Sequence, residues 1–409
     1  MNRHDALERE LTAWFVDTAV PRTPDYTTDI VQRTATVRQR PRWAFPERWL
    51  PVSVVAFRRR TAPSFPWRAV AALAILALLL AAVVVVGSQP RLPPPFGLAR
   101  NGLIAYAKDG DILTVDPATG ARTWITSGNE DDRDPRWSLD GTRIAFLRNL
   151  LAGPPIGTGG TIDSVVVIDR EGSVLAKSRH IPGIDPDAVA WSPDGRSIAV
   201  GANGDIYLVG AADGIVSWVP VAYMGLDLYW RPGDSREILF PGRTAEGAGL
   251  VVANVDDPAS ATLIAASPEG VALRPNGWTV DGRRVVYTRI DESAGSVSLR
   301  VLDVATRVET VIDAGFAHVS NDGIRLLAID PSGKPCIASI DGGPCIAIAD
   351  TGQAYQGMHA AGAHWAPDDE SIIVRTTQDR ALLLDPTGGT GEQPAWVAAG
   401  AESWQRVAR

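Results

Sequence analysis

Beyond residue 98 the apolar residues fall in short β-prone blocks separated by turn-forming clusters. One unit sets the pattern. Trp191-Ser192-Pro193-Asp194-Gly195 precedes Ser197-Ile198-Ala199-Val200. Pro193 presets φ for a turn, the Asp194 side chain can bond the backbone two residues on, and Gly195 supplies a positive φ. The apolar triplet that follows is short enough for a buried strand. Trp191 adds a large apolar body whose indole N–H needs an acceptor.

The unit recurs. Trp137, with Asp140 and Gly141, leads to Ile144-Ala145-Phe146; Trp278, with Asp281 and Gly282, leads to Val285-Val286-Tyr287; Trp365, with Asp368, leads to Ile372-Ile373-Val374. In each the strand starts seven residues after the Trp. Trp230 has one extra residue before Ile238, and Val319, with Asp322 and Gly323, keeps the turn without the Trp. The last head, Trp404, has no strand after it; the missing strand reads as Leu103 to Tyr106, at the start of the domain. Successive heads lie 39 to 54 residues apart. A second strand follows in every unit, from Ile112–Asp116 in the first to Ala381–Asp385 in the last. A period in the forties with several strands per period predicts an all-β propeller. Seven heads predict seven blades, with six or eight as alternatives. One blade would be completed from both ends of the domain, leaving no open sheet in the ring.

These heads resemble the WD40-like (PD40) repeat of the TolB family. The resemblance covers residues 99–409 and is best over Trp191 to Val209. It implies a β-propeller and leaves function open, because propellers serve as binding modules, scaffolds and enzymes.

The pattern ahead of the propeller is different. Ala69 to Val86 is an uninterrupted apolar run of eighteen residues, about 27 Å as a helix and enough to cross the hydrocarbon core. The expected domains are a cytoplasmic arm over 1–66, a transmembrane helix over 67–87, a Pro-rich linker over 88–98 and the propeller over 99–409. Arg58, Arg59, Arg60 and Arg68 precede the run, so the positive-inside rule places the N-terminus in the cytoplasm and the propeller outside it. The arm reads as short helices or disordered chain. Leu7, Leu11, Trp14 and Phe15 share one face of the first helix and are candidate partner-binding residues. Trp43, Trp49 and Trp67 suit a membrane interface.

Charge divides the same way. The net charge is −8, yet residues 1–68 carry twelve Arg against seven acids. The chain has 36 Arg and three Lys, which reads as genomic base composition. The acidic propeller argues against nucleic acid.

Candidate chemistry is sparse. The five His fit no zinc spacing, residues 128–135 read as an acidic loop that lacks an EF-hand pattern, and no Gly-x-Ser-x-Gly, P-loop or dinucleotide fingerprint occurs. His359 and His364 read as loop residues. No catalytic residue, cofactor or metal is expected. The repeated Asp is read as a turn former. Cys336 and Cys345 flank a short hairpin and are a candidate disulfide outside the cytoplasm. The sequence therefore predicts a single-pass membrane protein whose propeller binds a protein or envelope component without catalysis. Two alternatives stand beside it. One is a transmembrane regulator whose layout resembles membrane-bound anti-sigma factors, with a sigma factor at the arm. The other is an envelope glycan- or peptide-processing enzyme.

Overall fold

The computed structural model describes residues 93–149, 162–225, 227–348, 363–375, 381–388 and 403–409, together with residues 13, 70, 71 and 73–76. The chain divides into two units, Met1–Ser88 and Gln89–Arg409. In the first unit the described residues are helical, including 70, 71 and 73–76 at the start of the apolar run. The rest of that run lies outside the described residues, as do Leu7, Leu11, Trp14 and Phe15. Among the described residues no helix is long and apolar enough to cross a membrane.

The second unit is a seven-bladed β-propeller. In blade 1, Ser403–Val407 pairs with Arg100–Lys108, followed by Asp111–Val115 and Arg122–Trp124. Blade 2 runs from Asp131–Trp137 through Arg143–Asn149 and Ile162–Asp169 to Val174–Lys177. Blade 3 runs from Ile184–Trp191 through Ser197–Ala202 and Asp205–Gly210 to Val216–Val219. In blade 4 the first strand is split. Ala222–Tyr223 and Tyr229–Trp230 both pair with Glu237–Thr244, ahead of Gly247–Asn254 and Thr262–Ala266. Blade 5 spans Val271–Trp278 to Glu309–Ile312, and blade 6 spans Gly315–Val319 to Ile346–Ala347. Blade 7 has three described strands, Ala363–Trp365, Ile372–Arg375 and Ala381–Leu384.

The register explains the spacing seen in the sequence. Trp137, Trp191, Trp278 and Trp365 end the first strands of their blades and face the first apolar residue of the second: Trp137 pairs with Ile144, Trp191 with Ile198, Trp278 with Val285 and Trp365 with Ile372. Trp404 pairs with Ile104 across the closure. A tight hairpin fixes the seven-residue step, and the extra residue after Trp230 lengthens only its turn.

The apolar blocks are continuous because both faces of each second strand are buried. Ile144 and Phe146 pack toward blade 1, while Ala145 and Leu147 pack toward blade 3. Period-two alternation thus feeds two cores at once. Among the described residues each of the seven seams between neighbouring blades carries its own apolar cluster.

Two expectations are corrected. The acidic loop is strand from Asp131 onward: Asp131–Trp137 is the first strand of blade 2, where Asp132 is buried against Arg148. His364 likewise lies on a strand, Ala363–Trp365. Both segments are first strands, whose mixed polar composition hides their β character. His359 and residues 150–161 lie outside the described residues.

Candidate functional site

The repeat turns define one face of the ring. In blade 2 the Ser138 hydroxyl donates to Asp140 Oδ1 (2.6 Å) and accepts from the Arg143 N–H (3.0 Å). Asp140 Oδ1 also accepts from the Thr142 N–H (3.0 Å). The same box is made by Ser192 with Asp194, Thr279 with Asp281 and Ser320 with Asp322. The hydroxyl partner is a site residue that the sequence reading passed over, although Ser or Thr follows the head residue in each of these units. Burial opposes charge at Asp140, Asp281 and Asp322, but hydroxyl and backbone donors and a neighbouring Arg hold all three below the usual carboxylate range. Gly141 is obligatory. Its φ is 68°, and a Cβ there would sit 2.1 Å from the Arg406 carbonyl oxygen.

Several of the repeat units are locked to a neighbouring blade. Trp191 Nε1 donates to Arg136 O in the preceding blade (3.0 Å), Trp230 Nε1 to Ala190 O (3.0 Å) and Trp365 Nε1 to His318 O (3.0 Å). The Arg143 guanidinium lies over the Trp191 ring (5.1 Å) and donates to Gly195 O (2.7 Å). Arg231 does the same with Trp278 and Gly282 O, and Arg325 covers Trp365. A planar cation that both stacks and donates is a task for Arg and not Lys. Part of the Arg excess is therefore structural.

The turns surround the mouth of the ring's axis. Residues Leu139, Pro232, Val280 and Asn321, from four different turns, line a cavity of about 250 Å³ there, together with Tyr229, Trp278 and Arg406. Arg406 is largely desolvated, and burial pulls its guanidinium down to about 10. It donates to Asn321 Oδ1 (2.8 Å), to Gly97 O and to Pro94 O (3.3 Å). Next to it Asp369 occupies the glycine position of the blade 7 turn with φ 62°. Its buried carboxylate accepts from the Asn321 N–H (2.9 Å), Asn321 Nδ2 (2.7 Å) and the Asp322 N–H (2.8 Å). Burial still pushes this carboxyl above its ordinary value.

The opposite face carries paired charges at blade 2. Arg148 binds Asp132 through two bonds (2.6 and 2.7 Å), and Arg133 meets buried Asp163 at 2.6 Å. Among the described residues no group of three or more His, Cys, Asp or Glu could hold a metal ion. His318 and His364, on neighbouring first strands, stand 5.6 Å apart by ring centroids.

The rim is different in kind. Outer strands leave large apolar side chains in water: Trp124 is 53% exposed and Trp218 59%, with Val174, Leu175 and Ile215 between them in sequence. Neighbouring blades nest closely here. A Cβ on Gly172 would meet Ile125 O at 2.7 Å, and one on Gly214 would meet Lys177 O at 2.2 Å. Exposed apolar side chains thus occur at the rim of three consecutive blades, 1 to 3. In blade 6, Cys336 and Cys345 form a disulfide, with Cα atoms 5.4 Å apart.

Of the sequence-predicted residues, Trp137, Trp191, Trp230, Trp278 and Trp365 lie at the ends of the first strands, Trp404 lies within the closing strand, and Pro193, Asp194, Gly195, Asp281, Gly282, Asp322, Gly323 and Asp368 lie in the turns that follow the first strands. They make the frame of the axial mouth.

No family model and no curated sequence matches the chain. Among solved structures it is similar to a functionally unknown protein from Desulfotomaculum acetoxidans, with TM-score 0.54 at 12% identity over 75% of this chain and 99% of that one. It is also similar to oligogalacturonate lyase from Vibrio parahaemolyticus, with TM-score 0.52 at 12% identity over 73% and 94%. TolB from Acinetobacter baumannii lies further off, with TM-score 0.43 at 13% identity over 74% and 66%. At these identities the first two likenesses show a β-propeller fold and nothing finer, and the third carries no argument. One of these propellers is named as an enzyme, so the fold by itself does not decide between binding and catalysis.

Proposed function

We propose that the protein is a membrane-anchored β-propeller that binds a protein or envelope component outside the cytoplasm, without catalysis. The apolar run Ala69–Val86 supplies the anchor and the Arg residues before it the orientation. The observation that carries the binding role is the set of exposed apolar side chains at the rim of blades 1 to 3, Trp124 and Trp218 above all. Aromatic side chains left in water on outer strands are the chemistry of interface anchors, since a large apolar area there gains from being covered. The repeat-turn acids support a non-enzymatic role, being engaged in holding their own turns.

Capture of partners by the full chain from an envelope extract tests this role, comparing wild type with Trp124→Ser/Trp218→Ser. The double variant is expected to keep its melting temperature and lose the captured component. Equal capture by both would remove the rim from the binding role. Hydrolysis or elimination of envelope glycans by the purified chain would overturn the non-enzymatic part.

A further inference from the structure

The residues just ahead of the first strand do more than connect. Pro93 is buried, and the Ala99 N–H donates to Pro367 O (2.9 Å), which pins the segment to the blade 7 turn. Between these points the chain bends at Pro95-Phe96-Gly97, with Gly97 at φ 90°. The bend brings the carbonyls of Pro94 and Gly97 onto one guanidinium, that of Arg406. Arg406 is fixed in turn by Asn321 of blade 6. Pro95, Phe96 and Gly97 then form one wall of the axial cavity, facing Leu139, Tyr229, Pro232 and Trp278. The segment is a strap across the mouth.

The chemistry of this seat is specific. A desolvated guanidinium takes two backbone carbonyls of one bend, which is recognition of a turn and not of a side chain. Proline suits the bend, because it presets the backbone and leaves no N–H unsatisfied against an apolar wall. The aromatic and proline lining matches a Pro-aromatic ligand, as in grooves that take proline-rich segments. The strap does not fill its seat, since about 250 Å³ stays open beside Phe96. A better-fitting segment gains contacts that the strap forgoes.

We propose that the axial mouth is a receptor for a bent Pro-Pro-aromatic-Gly segment of a partner polypeptide, and that residues 94–97 occupy it in cis. The strap then competes with the partner and sets a threshold for its binding. The inference gives a partner chemistry to the binding role proposed above and rests on that role, at a different surface from the rim.

The test uses the full chain in detergent and a fluorescent peptide with the sequence of residues 91–99. Three chains are compared by anisotropy: wild type, Pro95→Ser/Phe96→Ser, and that double variant with Arg406→Gln added. The peptide is expected to bind the strap variant about tenfold or more tighter than wild type, and Arg406→Gln to remove that gain, within reach of one hydrogen bond to a charged group. Equal binding to wild type and strap variant, or none to either, overturns the proposal. Should the strap variant melt early, the wild type decides. Excess peptide must then speed hydrogen exchange at the Ala99 amide, and an unchanged rate overturns the proposal. Failure here leaves the rim's role standing, because that role is read out by capture through Trp124 and Trp218.

Discussion

Blades 3 and 6 hold the same place in the repeat by different means. In blade 3 a buried tryptophan ties the blade to the one before it. Trp191 is 6% exposed, donates to the blade before it and lies under the Arg143 guanidinium. Blade 6 has Val319 there, and no ring for an arginine to cover. The equivalent arginine, Arg284, reaches Asp341 in the outer turn instead (2.6 Å). Blade 6 is tied by the Cys336–Cys345 bond, and its turn residue Asn321 is gripped by Asp369 of blade 7 and Arg406 of blade 1. A large burial and a set of directional ties can each hold a blade in the ring. The first depends on little but water, while the second depends on redox state and protonation.

Removing the wedge should have the largest effect. Trp191→Ala is expected to cost about 3 to 5 kcal/mol in urea unfolding, as large aromatic deletions from a core do, and Val319→Ala clearly less. Equal losses would erase the distinction between the blades. Next comes the covalent tie. Cys336→Ser/Cys345→Ser should lose about 2 to 3 kcal/mol, as expected for a short loop. Reductant should destabilise wild type toward the double variant and leave Trp191→Ala with the same further loss, because the seams are separate. A smaller effect, about 1 kcal/mol, is expected for Arg143→Lys, which keeps the charge and loses the stacked fork; a thermal melt that does not move would show the stacking to be incidental.

The smallest effect separates the turn acids by pH. Asp140 and Asp322 have folded pKa values below the ordinary 3.8, so their stabilisation is present above that value and lost as pH falls through the folded values. Asp369 has the opposite sign. Its folded pKa is raised, so its charge weakens the fold at neutral pH and that cost is relieved as pH falls through the raised value. Asp140→Asn should therefore flatten the acid side of the stability curve, and Asp369→Asn the stretch just above it. Curves that keep the wild-type shape in both variants would reject these assignments.

The sequence shows the ring through its second and third strands. Ile144-Ala145-Phe146 and Val165 to Asp169 are apolar because both faces meet a neighbouring blade. The first strands were hidden. Asp131–Trp137 carries three Asp and two Arg, since an ion pair, not apolar packing, buries its polar face. The fourth strands are short and exposed: Arg122–Trp124 has no buried residue to reveal it. The axial site was legible as repeated turns but not as a site. Arg406, Asp369 and Pro94 lie far apart in the chain, and no local spacing joins them.

The pairing of Arg100–Lys108 with Ser403–Val407 also sets an order of events during folding. Hairpins such as Ser197–Gly210 close over a few residues, whereas Asn101 must find Arg406 about three hundred residues away. By loop-closure entropy that contact costs about 3 kcal/mol more than a ten-residue hairpin in an otherwise unstructured chain, and far less once the intervening blades have already curved the chain back on itself. The closing strand cannot form until the last blade has been made and has reached the compartment where the ring folds. Until then the newborn ring is an open arc, with the Arg100–Lys108 edge and the apolar surface of Ile104 and Tyr106 uncovered, and this interval is when the protein is most exposed to misassembly with its own copies.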